Sequence, residues 1–200
     1  MPPTLTVRRV ASGEAAFVAE VLARAFATDP VANWVWNNDA RLAPGISRAF
    51  FRVFAGFVLE AGEVYTDESG HGVALWLPFD PAEAHEDPAL GEALAAACGP
   101  YAERLGVIDE LMKAQHPVAA VHAYLPFIGV SPAGQGRGIG SSLLETRLAD
   151  LDRLGMPAYL EATTLSSFRL YSRFGFKEAG LIQLPGGPAF YPMWRDPASP

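Results

Sequence analysis

Apolar and polar residues alternate from Leu5 to Val10, the period-two signature of a strand. The spacing then turns helical, with Phe17, Val18, Val21, Leu22 and Phe26 on one stripe of a helix predicted over 13–26. Asp29-Pro30 stops it, because proline has no N–H to continue the ladder. A second helix over 40–60 carries Ile46, Phe50, Phe51, Phe54 and Phe57, and turns at Gly62 and Gly70 bracket strands over 64–66 and 73–77. Between 79 and 117, Pro81, Pro88, Pro100 and Pro117 punctuate two helical pieces, 89–97 and 101–115, read as an insertion (about 80–117) within a single domain spanning 1–200. A long apolar strand follows over 121–130, then a glycine-rich turn and a helix over 141–154 with Leu143, Leu144, Leu148, Leu151 and Leu154 on one face. A strand over 157–162, a short helix over 166–174 and strands over 176–184 and 189–194, parted by Pro185-Gly186-Gly187-Pro188, close the chain.

Composition narrows the classes. Half of the 200 residues are hydrophobic, enough for a core without staples, and the single cysteine cannot pair within the chain. No Cys/His group has zinc-site spacing, so no metal is expected. No segment has the length of a signal peptide or a membrane span, and a cytoplasmic protein with no membrane partner is expected. A formal charge of -7 with no basic block removes the electrostatic reason to bind nucleic acid. The same acidity modestly favours a cationic small molecule, although many proteins are acidic for solubility alone.

The candidate chemistry lies in Ile128-Gly129-Val130-Ser131-Pro132-Ala133-Gly134-Gln135-Gly136-Arg137-Gly138-Ile139-Gly140-Ser141-Ser142. A strand ends at Val130, and alternate glycines leave backbone N–H groups uncovered where a helix begins, an arrangement that attracts phosphate oxygens. A P-loop would need Gly-Lys-Ser/Thr at its end, and a dinucleotide fingerprint would need its third glycine where Ile139 or Ser141 stands. A purely steric role for the glycines stays open on this pattern alone.

Gln135-x-x-Gly138-x-Gly140 after Val130-x-Pro132 resembles the pyrophosphate-binding motif of the GNAT acetyltransferases. Tyr159-Leu160-Glu161-Ala162-Thr163 and Leu170-Tyr171-Ser172-Arg173-Phe174-Gly175-Phe176 are similar to that family's fifth strand and its Tyr-x-x-x-Gly-Phe segment. The ending from Pro185 to Trp194 resembles the group around puromycin N-acetyltransferase. The resemblance implies an α/β (α+β) GNAT fold, a mixed central sheet of about seven strands flanked by helices. It further implies an N-acetyltransferase with acetyl-CoA as co-substrate and a small-molecule primary amine as acceptor. Ile128, Gly129 and Val130 would offer main-chain groups to the pantetheine arm. Gln135, Gly136, Arg137, Gly138, Ile139, Gly140 and Ser141 would hold the pyrophosphate, though Arg137 could equally be a solvated charge. Ser167 stands where relatives carry an Asn, and its shorter side chain reaches less far toward the cofactor.

The reaction needs a proton acceptor for the amine and a donor for the departing thiolate. The resemblance makes Tyr171 the donor, against a ring packed behind Phe174 and Phe176, and Glu161 the acceptor, against a structural carboxylate. His122 and Tyr124 share strand parity and could line the amine channel. Trp34 and Trp36, beside Asn33, Asn37 and Asn38, are expected on a loop facing substrate, while the phenylalanines repeat at core spacing. His71, His85 and His116 receive no role. A non-catalytic acyl-CoA-binding domain and a protein or peptide N-acetyltransferase are the alternatives. Monomer and homodimer both remain open.

Overall fold

A computed structural model describes residues 5–83 and 87–198, so His85 lies outside the described residues. An eight-stranded sheet runs in the order β1-β2-β3-β4-β5-β8-β6, with β7 paired to β8. The strands are β1 (Val7–Arg9), β2 (Glu63–Asp67), β3 (Gly72–Phe79), β4 (His122–Val130), β5 (Ala158–Ala162), β6 (Lys177–Glu178), β7 (Ile182–Gln183) and β8 (Ala189–Arg195). Among the described residues only β4 and β5 pair parallel. Their connection is α6 (Ile139–Arg153), the helix that a parallel crossover requires.

Alternation along β3 divides the core. Val73 and Leu75 face one apolar layer with α1 (Ala15–Ala25), α2 (Pro30–Val35) and α3 (Ala43–Ala61), while Ala74 and Trp76 face a second with α6 and α7 (Leu165–Arg173). The insertion folds as α4 (Pro88–Cys98) and α5 (Ala102–Gln115), with α4 packed on α3. Phe127 anchors the first layer, its ring meeting Phe26, Phe50, Phe51 and Phe54 at centroid distances of 5.1–6.1 Å. Arg195 ties the second by two 2.7 Å bonds to Asp152 on α6 and one of 2.8 Å to the Phe174 carbonyl.

Two elements differ from the pattern. Asp29-Pro30 ends α1 but also starts α2: the Asp29 carboxylate accepts from Val31 N and Ala32 N, and Pro30 sits where its missing N–H is harmless. The strand expected over 176–184 is broken into β6 and β7. Ala179 N donates to the Pro192 carbonyl, but Pro192 has no N–H to return, and the ladder shifts by one residue before β7. Among the described residues no helix is long and apolar enough to cross a membrane.

Candidate active site

The site begins with a fault in β4. β3 pairs Leu75 with Phe127 and Leu77 with Tyr124, so two steps on β3 face three on β4. The extra residue is a β-bulge at Leu125-Pro126, which bends a strand and changes the direction of its side chains. His122, Tyr124 and Phe127 therefore project to the α1–α5 side, while Ala123, Leu125, Ile128 and Val130 pack toward α6. The parallel pairing to β5 ends at Leu125↔Leu160, whereas pairing to β3 continues to Val130. β4 and β5 thus part at Pro126, and the 127–130 backbone borders a wedge between them.

The glycine-rich turn closes the wide end of that wedge. Gly136 and Gly138 take φ of +73° and +81°, a left-handed backbone that L side chains adopt only at a cost. Gly138 is the N-cap of α6 and supplies no side-chain bond, so the helix's first N–H groups face outward with the positive dipole end. Gln135 pins the turn, its side-chain amide donating to the Val130 carbonyl at 3.2 Å. Arg137 is exposed, Gly140 and Ser141 lie in the first helical turn, and the Ile139 side chain is buried in the core. Other glycines here serve packing. A Cβ on Gly129 would meet Ala25 Cβ at 2.8 Å, and one on Gly134 would meet His71 Cβ at 2.6 Å. The uncapped helix start and the open glycine turn present backbone N–H groups of the kind that take a phosphate.

On the α1–α5 side of the wedge lies a carboxylate in an aromatic setting. Tyr124 donates its hydroxyl to Glu161 Oε2 at 3.0 Å. Glu161 Oε1 and the Tyr159 hydroxyl are both shielded and make no bond of full hydrogen-bond geometry, but the Tyr159 hydroxyl interacts with the carboxylate. Burial pushes the Glu161 carboxyl up to about 7, against the Tyr124 and Tyr159 hydroxyls, which favour the charged form. Burial, then the Glu161 charge, raises Tyr124 well above the usual phenol range.

Tyr171 is 7% exposed on α7, its ring 6.1 Å from Phe176. Burial, then the charge of Asp29, raises its hydroxyl, which stays protonated at neutral pH. Asp29 accepts from Thr163 Oγ1 at 2.5 Å, joining the start of α2 to the end of β5.

Three candidates sit differently from expectation. Trp36 is only 5% exposed and packs against Phe50 and Tyr101, so it belongs to the core and not to a substrate-facing loop. Trp34 is half-buried on α2, its Nε1 donating to the Pro185 carbonyl at 3.2 Å with Arg104 stacked over its ring at 4.8 Å. Ser167 closes a capping box with Thr164: it accepts from Thr164 N at 3.2 Å and donates to Thr164 O at 2.9 Å. Its hydroxyl also lies 2.9 Å from Thr164 Oγ1, where either group can donate, so it is engaged at the helix start.

His122 is 1% exposed and turns to His116, which had no assigned role, at 3.2 Å between Nε2 atoms. Sequence reasoning missed His116, Tyr159 and Asp29. Tyr159 was legible in its parity with Glu161, and Asp29-Pro30 as a helix start. His116 arrives through long-range packing of α5, for which the sequence gives no signal. A cleft of about 580 Å³ between α3 and α4, lined by Arg52, Phe57 and Leu90 among others, shares no residue with this site.

Comparisons with known proteins agree on the fold. Residues 82–176 match the model of the Acetyltransferase (GNAT) family. An uncharacterised N-acetyltransferase of Schizosaccharomyces pombe, C550.08, is 40% identical over 53 residues, 26% of this chain; the chain spans about a fifth (22%) of that relative's length. A Corynebacterium glutamicum structure, described as histone acetyltransferase HPA2 and related acetyltransferase, superposes with a TM-score of 0.67 at 28% identity over 98% of both chains. A Drosophila melanogaster polyamine N-acetyltransferase superposes at 0.64 over 96% of this chain and 99% of its own; its 18% identity shows the fold alone. The chain therefore has the GNAT fold over nearly its whole length, and residues 82–176, just under half of it, match the family's pattern.

Proposed function

We propose that the protein transfers the acetyl group of acetyl-CoA to a small-molecule primary amine. The observation that carries this reading is the part-buried Glu161 carboxylate beside the point where β4 leaves β5, with a shielded Oε1, Tyr124 bonded to Oε2, and a carboxyl that burial pushes up to about 7. A general base works best when its pKa lies near the operating pH.

Acetyl-CoA supplies an activated thioester carbonyl. The 127–130 backbone along the wedge orients its pantetheine arm, and the Gly136–Ser141 turn with the start of α6 binds its pyrophosphate. Glu161 takes up the proton that the amine sheds, directly or through water. Tyr171, held protonated by its burial, offers a proton to the departing sulfur. The engaged Ser167 hydroxyl removes one familiar contact but touches neither proton-transfer group, so it gives the non-catalytic alternative no support.

The acceptor assignment rests on enclosure and charge. α5 covers the Glu161 face, and Trp34, pinned to Arg104 and Pro185, holds the 184–188 loop against α2. An aromatic wall with a carboxylate suits a compact cation carrying some apolar surface. The sequence resemblance to the puromycin N-acetyltransferase group makes an aminonucleoside one candidate among several. Thiol release should be measured with aminonucleoside, aminoglycoside, polyamine, arylalkylamine and amino-acid acceptors, and with histone-like and N-terminal peptides. Turnover of at least one small amine above the peptides is expected; turnover of peptides alone would overturn the assignment.

A further inference from the structure

The Glu161 side chain is only part-buried, yet its Oε1 is shielded from solvent. The rings beside it are Tyr124 from β4 and Tyr159 from β5, and both meet His116, the residue that caps α5. The His116 ring stands edge-on to Tyr124 at 5.1 Å and to Tyr159 at 4.9 Å, with Phe79 behind it at 4.5 Å.

The proton positions on the two imidazoles follow from their partners. His122 Nδ1 lies 2.8 Å from the Ala120 carbonyl, which can only accept, so His122 carries a proton there. A neutral His122 then presents a lone pair at Nε2. His116 Nε2, 3.2 Å away, must be the donor, which leaves its own lone pair on Nδ1. Both rings are neutral at physiological pH: burial, then His122, pushes His116 down to about 4, and burial lowers His122 against its Ala120 bond. The titratable and charged groups facing this corner are His122 and Tyr124 on β4, Tyr159 and Glu161 on β5, and Asp109 on α5, which is ion-paired to Lys113.

We propose that His116 is a positioning residue for Glu161: fixed to His122 by the Nε2–H···Nε2 bond, it holds the Tyr124 and Tyr159 rings against the carboxylate and limits the water that reaches its shielded Oε1 side. This rests on the reading of Glu161 as the base, although His116 itself touches no reacting atom. Removing the ring hydrates the carboxylate, weakens the burial that raises it, and lowers the pH at which it ionises.

The test is a titration of the Glu161 side-chain carboxyl by carbon NMR on glutamate-labelled protein, its signal identified by its loss in Glu161→Gln. In His116→Ala the midpoint is expected to fall from near 7 by about 1–2 pH units, toward an ordinary glutamate. The acidic limb of kcat/KM should move down with it. His116→Gln, which keeps an N–H for His122 and most of the volume, should fall less and stands in if the alanine variant does not fold. An unchanged midpoint in a folded variant overturns the proposal. If Glu161→Gln keeps full turnover while the midpoint falls in His116→Ala, the base assignment fails and the positioning role stands.

Discussion

Replacing Tyr124 with phenylalanine removes one hydroxyl and leaves the ring that meets His116 at 5.1 Å and Tyr159 at 5.8 Å. The lost bond is the 3.0 Å donation to Glu161 Oε2, which favours the ionised carboxylate and opposes the burial that raises it. A hydrogen bond to a charged group contributes about 1.5–3 kcal/mol, and 1.36 kcal/mol corresponds to roughly one pH unit. The Glu161 midpoint should therefore rise from about 7 by about 1–2 units. At pH 7.5 the ionised fraction, and kcat/KM with it, should fall by roughly 3- to 25-fold, with recovery at higher pH. The assay is kcat/KM against pH with two amines of different basicity, because a limb that belongs to Glu161 keeps its place when the amine changes. A limb that stays put or moves to lower pH in Tyr124→Phe would refute the assignment of that limb to the Tyr124–Glu161 pair.

Tyr171→Phe should keep acetyl-CoA affinity and lower turnover by on the order of a hundredfold, the contribution of one positioned acid; stopped-flow turnover with calorimetric binding checks it, and a parallel loss of affinity or stability would mark a packing role. Gly138→Val places a branched side chain at φ +81° on the turn, so a folded variant should bind acetyl-CoA more weakly by calorimetry; unchanged affinity would remove the turn from the binding site. Glu161 also predicts a pH-dependent stability. Its folded pKa of about 7 lies above its ordinary 4.5, so the folded state holds the proton more tightly. Stability is full below about 4.5, declines as pH rises to about 7, and is lower by up to about 3 kcal/mol beyond that. Denaturant melts should show Glu161→Gln gaining stability over the parent protein between pH 4.5 and pH 8; no relative gain would contradict the buried charge.

The order of elements was legible because each strand and helix carries its own periodicity, and the glycine turn because its spacing has a backbone reason. What escaped was set by contacts distant in sequence or by a single residue's geometry. The bulge at Leu125-Pro126 depends on register against β3, which strand periodicity does not encode, although Pro126 hinted at an interruption. Trp36 read as a loop aromatic because Asp29-Pro30 was taken as a stop and not also as the cap of α2. Ser167 stood out only against the Asn that the resembling family carries there, while its capping box with Thr164 was not legible. His116 joins the site only because α5 ends over the Glu161 face.

The proposed reaction moves an acetyl group from acetyl-CoA to an amine with Glu161 as proton acceptor. Its most direct test is mass spectrometry of the amine after incubation with isotope-labelled acetyl-CoA at pH 7.5, for the parent protein and Glu161→Gln at matched acetyl-CoA occupancy. Labelled acetyl on a small amine is expected with the parent protein, and a rate lower by on the order of a hundredfold in the variant. Equal rates in the two proteins, or no label on any amine while acetyl-CoA is bound, would contradict it.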